Sequence, residues 1–355
     1  MTDLLLQKFT ATADTTVVNA MSKIDSNAQG ILFVVDSGGR LIGCITDGDI
    51  RRWIIRTGDL NAAAEQYMNR DPLSLPLGSR KEAPAYMKAH SLRTVPLLDA
   101  GKRIVDIVFA DGILSLQQRK NESLKDTPVV IMAGGMGTRL YPYTKILPKP
   151  LIPIRDVPIL ERIINRFCEY GVSRYYLTLN YKKGMIKSYF ADLAPEYEIC
   201  YVEEEKPLGT AGSIKLIRDT FDSPVIITNC DTLVDADYAD LMEHHVSSGN
   251  ALTIVSALKN IVVPYGVMHT GEQGTIISIE EKPKMSYFIN TGFYVLNPEL
   301  IQKIPDDTVF HMPNLADQLI REGYQVGIYP IGEDAFLDMG EFEEMRRMEK
   351  KLNLE

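Results

Sequence analysis

The sequence predicts a doubly wound α/β domain with a mostly parallel sheet, preceded by a smaller α+β domain built from one unit used twice. Three observations lead there. From Thr127 onward, short β-branched runs alternate with stretches of helical period, as strands joined by crossover helices do. Before it, two segments roughly 60 residues apart share one order of elements. At the head of the second part a glycine-rich loop directly follows an apolar run, Val129–Met132.

The repeated unit comes first. Residues 31–50 read ILFVVDSGGRLIGCITDGDI and residues 95–113 read VPLLDAGKRIVDIVFADGI. Each gives a β-rich run, a glycine-containing hairpin turn, a second β-rich run and an acidic turn opening a helix. Helical stretches precede each pair, at 16–22 and 79–89. Residues 117–126 (QQRKNESLKD) are polar and without apolar period, which marks a linker. The expected domains are therefore 1–122 and 127–355.

In the second part, strands are predicted at 129–132, 174–179, 199–202, 225–228 and 252–257. Helices are predicted between them at 158–170, 184–193, 211–221 and 238–247, with a last one at 341–352. Ligands on such a sheet sit beyond the carboxyl ends of the strands.

Residues 129–153 read VVIMAGGMGTRLYPYTKILPKPLIP. Gly134, Gly135 and Gly137 give a loop whose backbone amides can wrap an anion. Thr138 adds a hydroxyl and Arg139 a charged fork suited to phosphate oxygens. Lys149 sits between two prolines that keep its backbone extended. Neither the P-loop nor the dinucleotide fingerprint fits: no Lys follows these glycines at the required place, and Leu140 stands where a third Gly would.

Composition narrows the classes. Hydrophobic residues make up 45% and charged residues 24%, ordinary for a soluble chain. No apolar run is long enough to span a bilayer and no secretory leader is recognisable, so a cytoplasmic protein is expected. Cys44, Cys168, Cys200 and Cys230 are scattered without metal spacing, which fits a reducing compartment. His244 and His245 are adjacent and read as surface residues. Residues 1–126 carry 16 Lys+Arg against 15 Asp+Glu, a net +1; residues 127–355 carry 22 against 32, a net −10. A nucleic-acid binder needs a basic face, so that class is disfavoured. An acidic domain that binds nucleotide must use a local cation cluster and a divalent metal.

The run from Gly134 to Pro150 matches at every fixed position the signature GGxGTRLxPxTxxxPKP, and in this it resembles the sugar-1-phosphate nucleotidyltransferases. The resemblance covers about 127–352. It implies nucleotidyl transfer from an NTP to a sugar 1-phosphate with Mg2+ as cofactor, and a homo-oligomer is expected. Arg139 and Lys149 match the catalytic cations. Ala133, Gly134, Gly135, Gly137 and Thr138 match the nucleotide loop, and Glu204, Gly209 and Thr210, in EEKPLGTAG, match the base-contacting loop. Asp231 and Asp338 match the metal-binding acids. Asp235 and Asp237 read instead as loop and helix-start residues. Gly266, Glu281, Lys282, Asn290 and Thr291 match the sugar pocket; Thr210 is also placed to cap the helix after it, and residues 290–292 to begin a strand.

The duplicated part resembles a tandem CBS domain over about 4–118. That family's adenosine-ribose pair, Thr or Ser followed three residues later by Asp, matches Thr46 and Asp49. The second copy has Phe109 and Gly112 there, so one adenine-nucleotide site is implied, the alternative being a packing module. A CBS-linked enzyme with this base loop further resembles the guanylyltransferases that activate hexosamine or mannose-type 1-phosphates for bacterial surface glycans, including the legionaminic-acid route. GTP is the expected nucleotide. Uridylyl or thymidylyl transfer is the alternative within the class, and an inactive nucleotide-sensing protein the alternative outside it.

Overall fold

The computed structural model describes residues 3–27, 29–109, 122–340, 344–346 and 348. Gly112, residues 117–121 of the predicted linker and most of the predicted terminal helix lie outside them. By compactness the chain forms two units, each assembled from separate stretches. One comprises Met1–Gln117, Leu258–Phe288 and Gly332–Asp334; the other comprises Gln118–Ala257, Ile289–Ile331 and Ala335–Glu355. No helix among the described residues is long and apolar enough to cross a membrane.

The N-terminal stretch runs α1 (Asp3–Phe9), β1 (Thr10–Thr12), α2 (Val17–Asn27), β2 (Ile31–Val35), β3 (Leu41–Thr46), α3 (Asp47–Thr57), β4 (Leu75–Pro76), α4 (Ala83–Ala89), β5 (Thr94–Leu98) and β6 (Ile104–Phe109). The duplication is physical. Two three-stranded sheets, β1-β2-β3 and β4-β5-β6, each have a parallel pair followed by an antiparallel hairpin. Their register shifts fall at matching places, Val34/Val35 and Leu97/Leu98. The hairpin turns are alike in detail. Asp36 Oδ1 accepts from the Gly38 and Arg40 amides at 2.8 and 2.9 Å, and Asp99 Oδ1 accepts from Gly101 and Arg103 at the same distances. An aspartate that bonds its own turn in this way mimics a backbone turn. The two turns meet: Arg40 bridges Arg103, and the Leu41 amide donates to Lys102 O at 2.9 Å.

The remaining elements are β7 (Val129–Met132), β8 (Pro153–Ile154), β9 (Val157–Pro158), α5 (Ile159–Cys168), β10 (Arg174–Leu179), α6 (Lys183–Leu193), β11 (Glu198–Glu203), α7 (Gly209–Gly212), β12 (Val225–Asn229), β13 (Thr232–Val234), α8 (Tyr238–Ser247), β14 (Leu252–Val262), β15 (Val267–Thr270), β16 (Ile276–Glu280), β17 (Lys284–Leu296), α9 (Met312–Arg321), β18 (Val326–Gly332) and β19 (Phe336–Asp338). A seven-stranded sheet has the order β11-β10-β7-β12-β17-β14-β18. The first four strands of that order are mutually parallel, and β17 runs antiparallel to β12.

β7 is an interior strand, apolar on both faces. Val129 and Ile131 pack into the core on one face, and Val130 and Met132 into the core on the other. From β7 the chain proceeds outward to β10 and β11, then returns to β12 on the opposite flank. The carboxyl end of β7 is therefore the topological switch point, where such sheets hold ligands.

Three expectations need correction. Residues 211–221 do not form a helix: α7 is one turn, followed by a 3₁₀ turn at Ile214–Leu216. The chain leaves helical geometry at Ile217, whose backbone is extended at φ −69° and ψ 122°; the Ala211 and Gly212 amides, first-turn donors with no partner inside a helix, donate to Phe310 O at 2.9 and 3.0 Å. His245 is not a surface residue. It is buried, bonded to Thr253 Oγ1 at 2.8 Å and Asn297 Oδ1 at 3.0 Å, and burial lowers its pKa. Residues 290–292 do not begin a strand but lie well inside β17.

Candidate active site

The loop after β7 is held from several sides. The Ala133 amide donates to Thr178 O at 2.9 Å, which carries the strand pairing one residue further and leaves Ala133 buried beneath the loop. Gly137 adopts φ +64°, and a Cβ there would lie 2.9 Å from Thr144 Cγ2 and 3.0 Å from Lys149 Cβ. Only glycine satisfies both the left-handed backbone and the close approach. Thr144 Oγ1 donates to Gly137 O at 2.9 Å, and Tyr181 OH donates to Thr144 O at 3.1 Å. Lys182 Nζ closes the far side on Lys145 O and Ile146 O.

A cavity of about 380 Å³ opens at this switch point. Gly134, Gly135, Gly137, Thr138, Arg139, Lys149, Glu204, Gly209, Thr210 and Asp231 all line it, so the structure brings together the predicted nucleotide loop, both cations, the base loop and one acid. Lys149 is buried and its Nζ contacts Asp231 Oδ2. Arg139 makes no ion pair with another described residue; its Nη1 approaches Gly340, beside Asp338 Oδ2.

Asp338 joins Asp231 through a small ladder. Thr232 pairs with Asp338 in the β13–β19 register, and the Met339 amide donates to Asp231 O at 2.9 Å. Burial first, and the Asp231 charge second, raise the Asp338 pKa; Lys149 and Arg139 pull it down. No group of three or more His, Cys, Asp or Glu among the described residues could hold a metal. Two carboxylates side by side are what remains. Asp235 and Asp237 stay apart from this pair: the Asp237 side chain caps α8, accepting from the Ala239 and Asp240 amides.

The EEE run at 203–205 divides into three roles. Glu203 is exposed between Lys183 and Lys187, whose hydrogen bonds pull its pKa down to about 2. Glu205 is exposed. Glu204 is buried, its Oε2 accepts from the Leu208 amide at 2.9 Å, and burial raises its pKa. Its Oε1 lies where a Cβ on Gly134 would be, 2.5 Å away, which explains that glycine. Thr210 does not cap α7. Its Oγ1 accepts from the Met312 amide at 2.9 Å, tying the loop to the start of α9.

The predicted sugar residues separate. Gly266, Glu281 and Lys282 belong to the first compact unit, where the Glu281 carboxylate lies against Gly266. Asn290 and Thr291 belong to the second, and both side chains are engaged internally. Thr291 Oγ1 donates to Val255 O at 2.7 Å; Asn290 bonds Tyr294 OH and the Gly292 amide. In the N-terminal stretch, Thr46 and Asp49 form a reciprocal capping box on α3. Thr46 donates to Asp49 Oδ2 through its amide at 2.9 Å and its hydroxyl at 2.6 Å, and Asp49 N–H returns to Thr46 Oγ1 at 3.2 Å. Such a box is a helix start in its own right.

Reading the sequence missed Thr178, Asn229 and His311, which also line the cavity. Thr178 Oγ1 is buried with no hydrogen-bond partner among the described residues. Asn229 reaches the cavity because Gly292, at φ +79°, leaves room for its amide. His311 comes from the start of α9; the MPN after it, with Pro early and Asn as a cap partner, was the available signal.

Comparison with known proteins agrees with this geometry. The nucleotidyl transferase family model matches residues 128–353, and the CBS domain model matches residues 2–56. The UTP–glucose-1-phosphate uridylyltransferase of Synechocystis is 31% identical over 212 residues, 53% of this chain and 55% of that protein. The D-glycero-alpha-D-manno-heptose 1-phosphate guanylyltransferase of Campylobacter jejuni is 33% identical over 216 residues, 59% of this chain and 93% of that protein. The crystal structure of HddC from Yersinia pseudotuberculosis superposes with a TM-score of 0.51 at 30% identity, covering 64% of this chain and 99% of that one. Against several longer relatives, the chain spans about half of their length.

Proposed function

The chain belongs to the nucleotidyl transferase family, and from that premise we propose that it transfers a guanylyl group from GTP to a sugar 1-phosphate, releasing pyrophosphate. The observation that carries this reading is the convergence, in one cavity at the switch point, of the glycine loop, Lys149 and Asp231, with Asp338 on the adjoining strand. An oxygen of the sugar phosphate attacks the α-phosphorus in line. The new P–O bond forms as the bond to the bridging oxygen breaks, and pyrophosphate leaves with that electron pair. The chain supplies positioning and charge, and no protein nucleophile is needed. Amides of Gly134, Gly135 and Gly137 cradle the phosphates, Arg139 forks onto the triphosphate, and Lys149 offers a point charge at the reacting phosphoryl group.

The two adjacent acids fit Mg2+, which takes one or two carboxylates together with phosphate oxygens and water. A cation there would also offset the Asp231 charge, which after burial is the second cause of the raised Asp338 pKa. Asp231 and Asp338 would hold the ion, and its chemistry is charge neutralisation on the phosphates.

Base choice follows from hydrogen bonds at the base edge. Glu204 is a buried acceptor at the cavity wall, suited to the N1–H and amine of guanine, and the heptose-phosphate relative named above is a guanylyltransferase. A hexosamine or mannose-type 1-phosphate is the proposed acceptor. Pyrophosphate release over four NTPs and several sugar 1-phosphates tests the reading. GTP is expected to lead; a clear lead by UTP or dTTP overturns the base assignment, and no release from any pair overturns the reaction class.

The N-terminal stretch is proposed as a regulatory module that takes an adenine nucleotide at Thr46 and Asp49. Binding is expected to shift catalytic-site affinity by roughly 1–3 kcal/mol of coupling. Calorimetry of the full chain with AMP, ADP and ATP checks this, and the absence of heat that Asp49→Ala abolishes would leave a packing role alone.

A further inference from the structure

One polar side chain on the cavity wall has no part in the reaction as proposed. His311 stands at the start of α9 and lines the same cavity as Glu204 and Gly209. Three contacts place it. The Thr210 amide donates to Nδ1 at 3.4 Å. The ring rests on the Gly209 backbone, where a Cβ would lie 3.0 Å from both Cε1 and Nδ1. Asn314 Oδ1 accepts from the His311 amide at 3.1 Å. Thr210 returns the tie by accepting from Met312 N, so the base loop and the α9 start hold each other in register.

The chemistry of the ring then follows. A neutral imidazole has one acceptor nitrogen and one donor, and a bond at one nitrogen sets the role of the other. Because Nδ1 accepts from a backbone amide, which can only donate, the proton resides on Nε2. The Nε2–H points away from Thr210 across the ring. Glu204 brings the opposite capacity, since Oε2 is engaged by Leu208 and Oε1 is beside Gly134. The cavity wall thus carries a donor and an acceptor from chain positions far apart. Guanine presents the matching set: N1–H and the 2-amine donate, while O6 and N7 accept.

We propose that His311 determines nucleotide specificity, donating from Nε2 to O6 or N7 of the guanine base while Glu204 accepts from its opposite edge. This rests on the guanylyl-transfer reading above. The Gly209 turn then serves as the surface against which the imidazole is held, and Thr210 as the group that fixes its tautomer.

The test uses the full chain and two variants. His311→Asn keeps a strong N-cap at α9 but is too short to reach the base; His311→Gln restores length and an N–H donor. For each protein, kcat/KM is measured with GTP, with 7-deaza-GTP, which lacks the N7 acceptor, and with 6-thio-GTP, which keeps N1–H but puts a weakly accepting sulfur in place of O6. Thermal melting checks the fold. Wild type is expected to prefer GTP over one analogue by about 10-fold, the worth of one hydrogen bond whose buried partner is left unpaired. That preference should collapse towards unity in His311→Asn and return in part in His311→Gln. Wild-type preference for GTP over both analogues retained in a folded His311→Asn overturns the role of His311 and leaves guanylyl transfer standing. Wild type that turns over no GTP overturns both.

Discussion

Asp338→Asn is expected to lower turnover on the order of 10³-fold while leaving the melting temperature unchanged or higher. The two effects separate because the carboxylate is costly to the ligand-free fold. Burial and the Asp231 charge raise the Asp338 pKa above its ordinary value. The folded state therefore binds this proton more tightly than the unfolded chain does, and stability falls as pH rises through the window between the two values. Asparagine removes that slope along with the charge. Asp231→Asn should lose turnover to a similar extent with the opposite sign in stability, because Lys149 loses its partner. Melting curves across pH, beside pyrophosphate release in a Mg2+ titration, check both. Near-normal turnover of either variant at low Mg2+ would remove these acids from the metal role.

Lys149→Met carries the second large effect. The Lys149 side chain is 9% exposed and the Asp231 side chain 14% exposed. Deleting one member leaves a mostly buried charge uncompensated, which costs about 3 kcal/mol. The rate should fall by roughly 10²–10³-fold, as when one donor to a transition state is removed. The double variant Lys149→Met with Asp231→Asn separates the two losses. It should recover much of the stability, since no charge is stranded, and none of the activity. A single variant that melts with the wild type would show that the pair contributes nothing to the fold.

Local chemistry made much of this legible in the sequence. β7 announces itself because a strand buried on both faces must be apolar throughout, and the loop after it because its glycines answer to backbone and contact constraints at fixed spacing. The roles of Asp231, Lys149 and Arg139 were named from the family resemblance, and all three line one cavity. Features assembled from distant stretches were hidden. The 211–221 helix stops at Ile217, where the backbone turns extended, and its first amides are satisfied by Phe310 O, about a hundred positions away. His245 was assigned to the surface because Thr253 and Asn297, which satisfy its ring, are not neighbours in sequence. His311 has a local helix-start signal in the MPN after it, but its place on the cavity wall comes from contact with Thr210, about a hundred positions away.

The paired aspartate turns of the N-terminal stretch bear on how the chain has been free to change. Asp36 and Asp99 keep the same two bonds at the same lengths, whereas the second copy has Phe109 at the position that corresponds to Thr46. A doubled unit needs its turns twice, because the two copies meet through them. Positions away from the turns, such as 46 and 109, carry no such shared demand, so the two copies can differ there without the junction between them being lost.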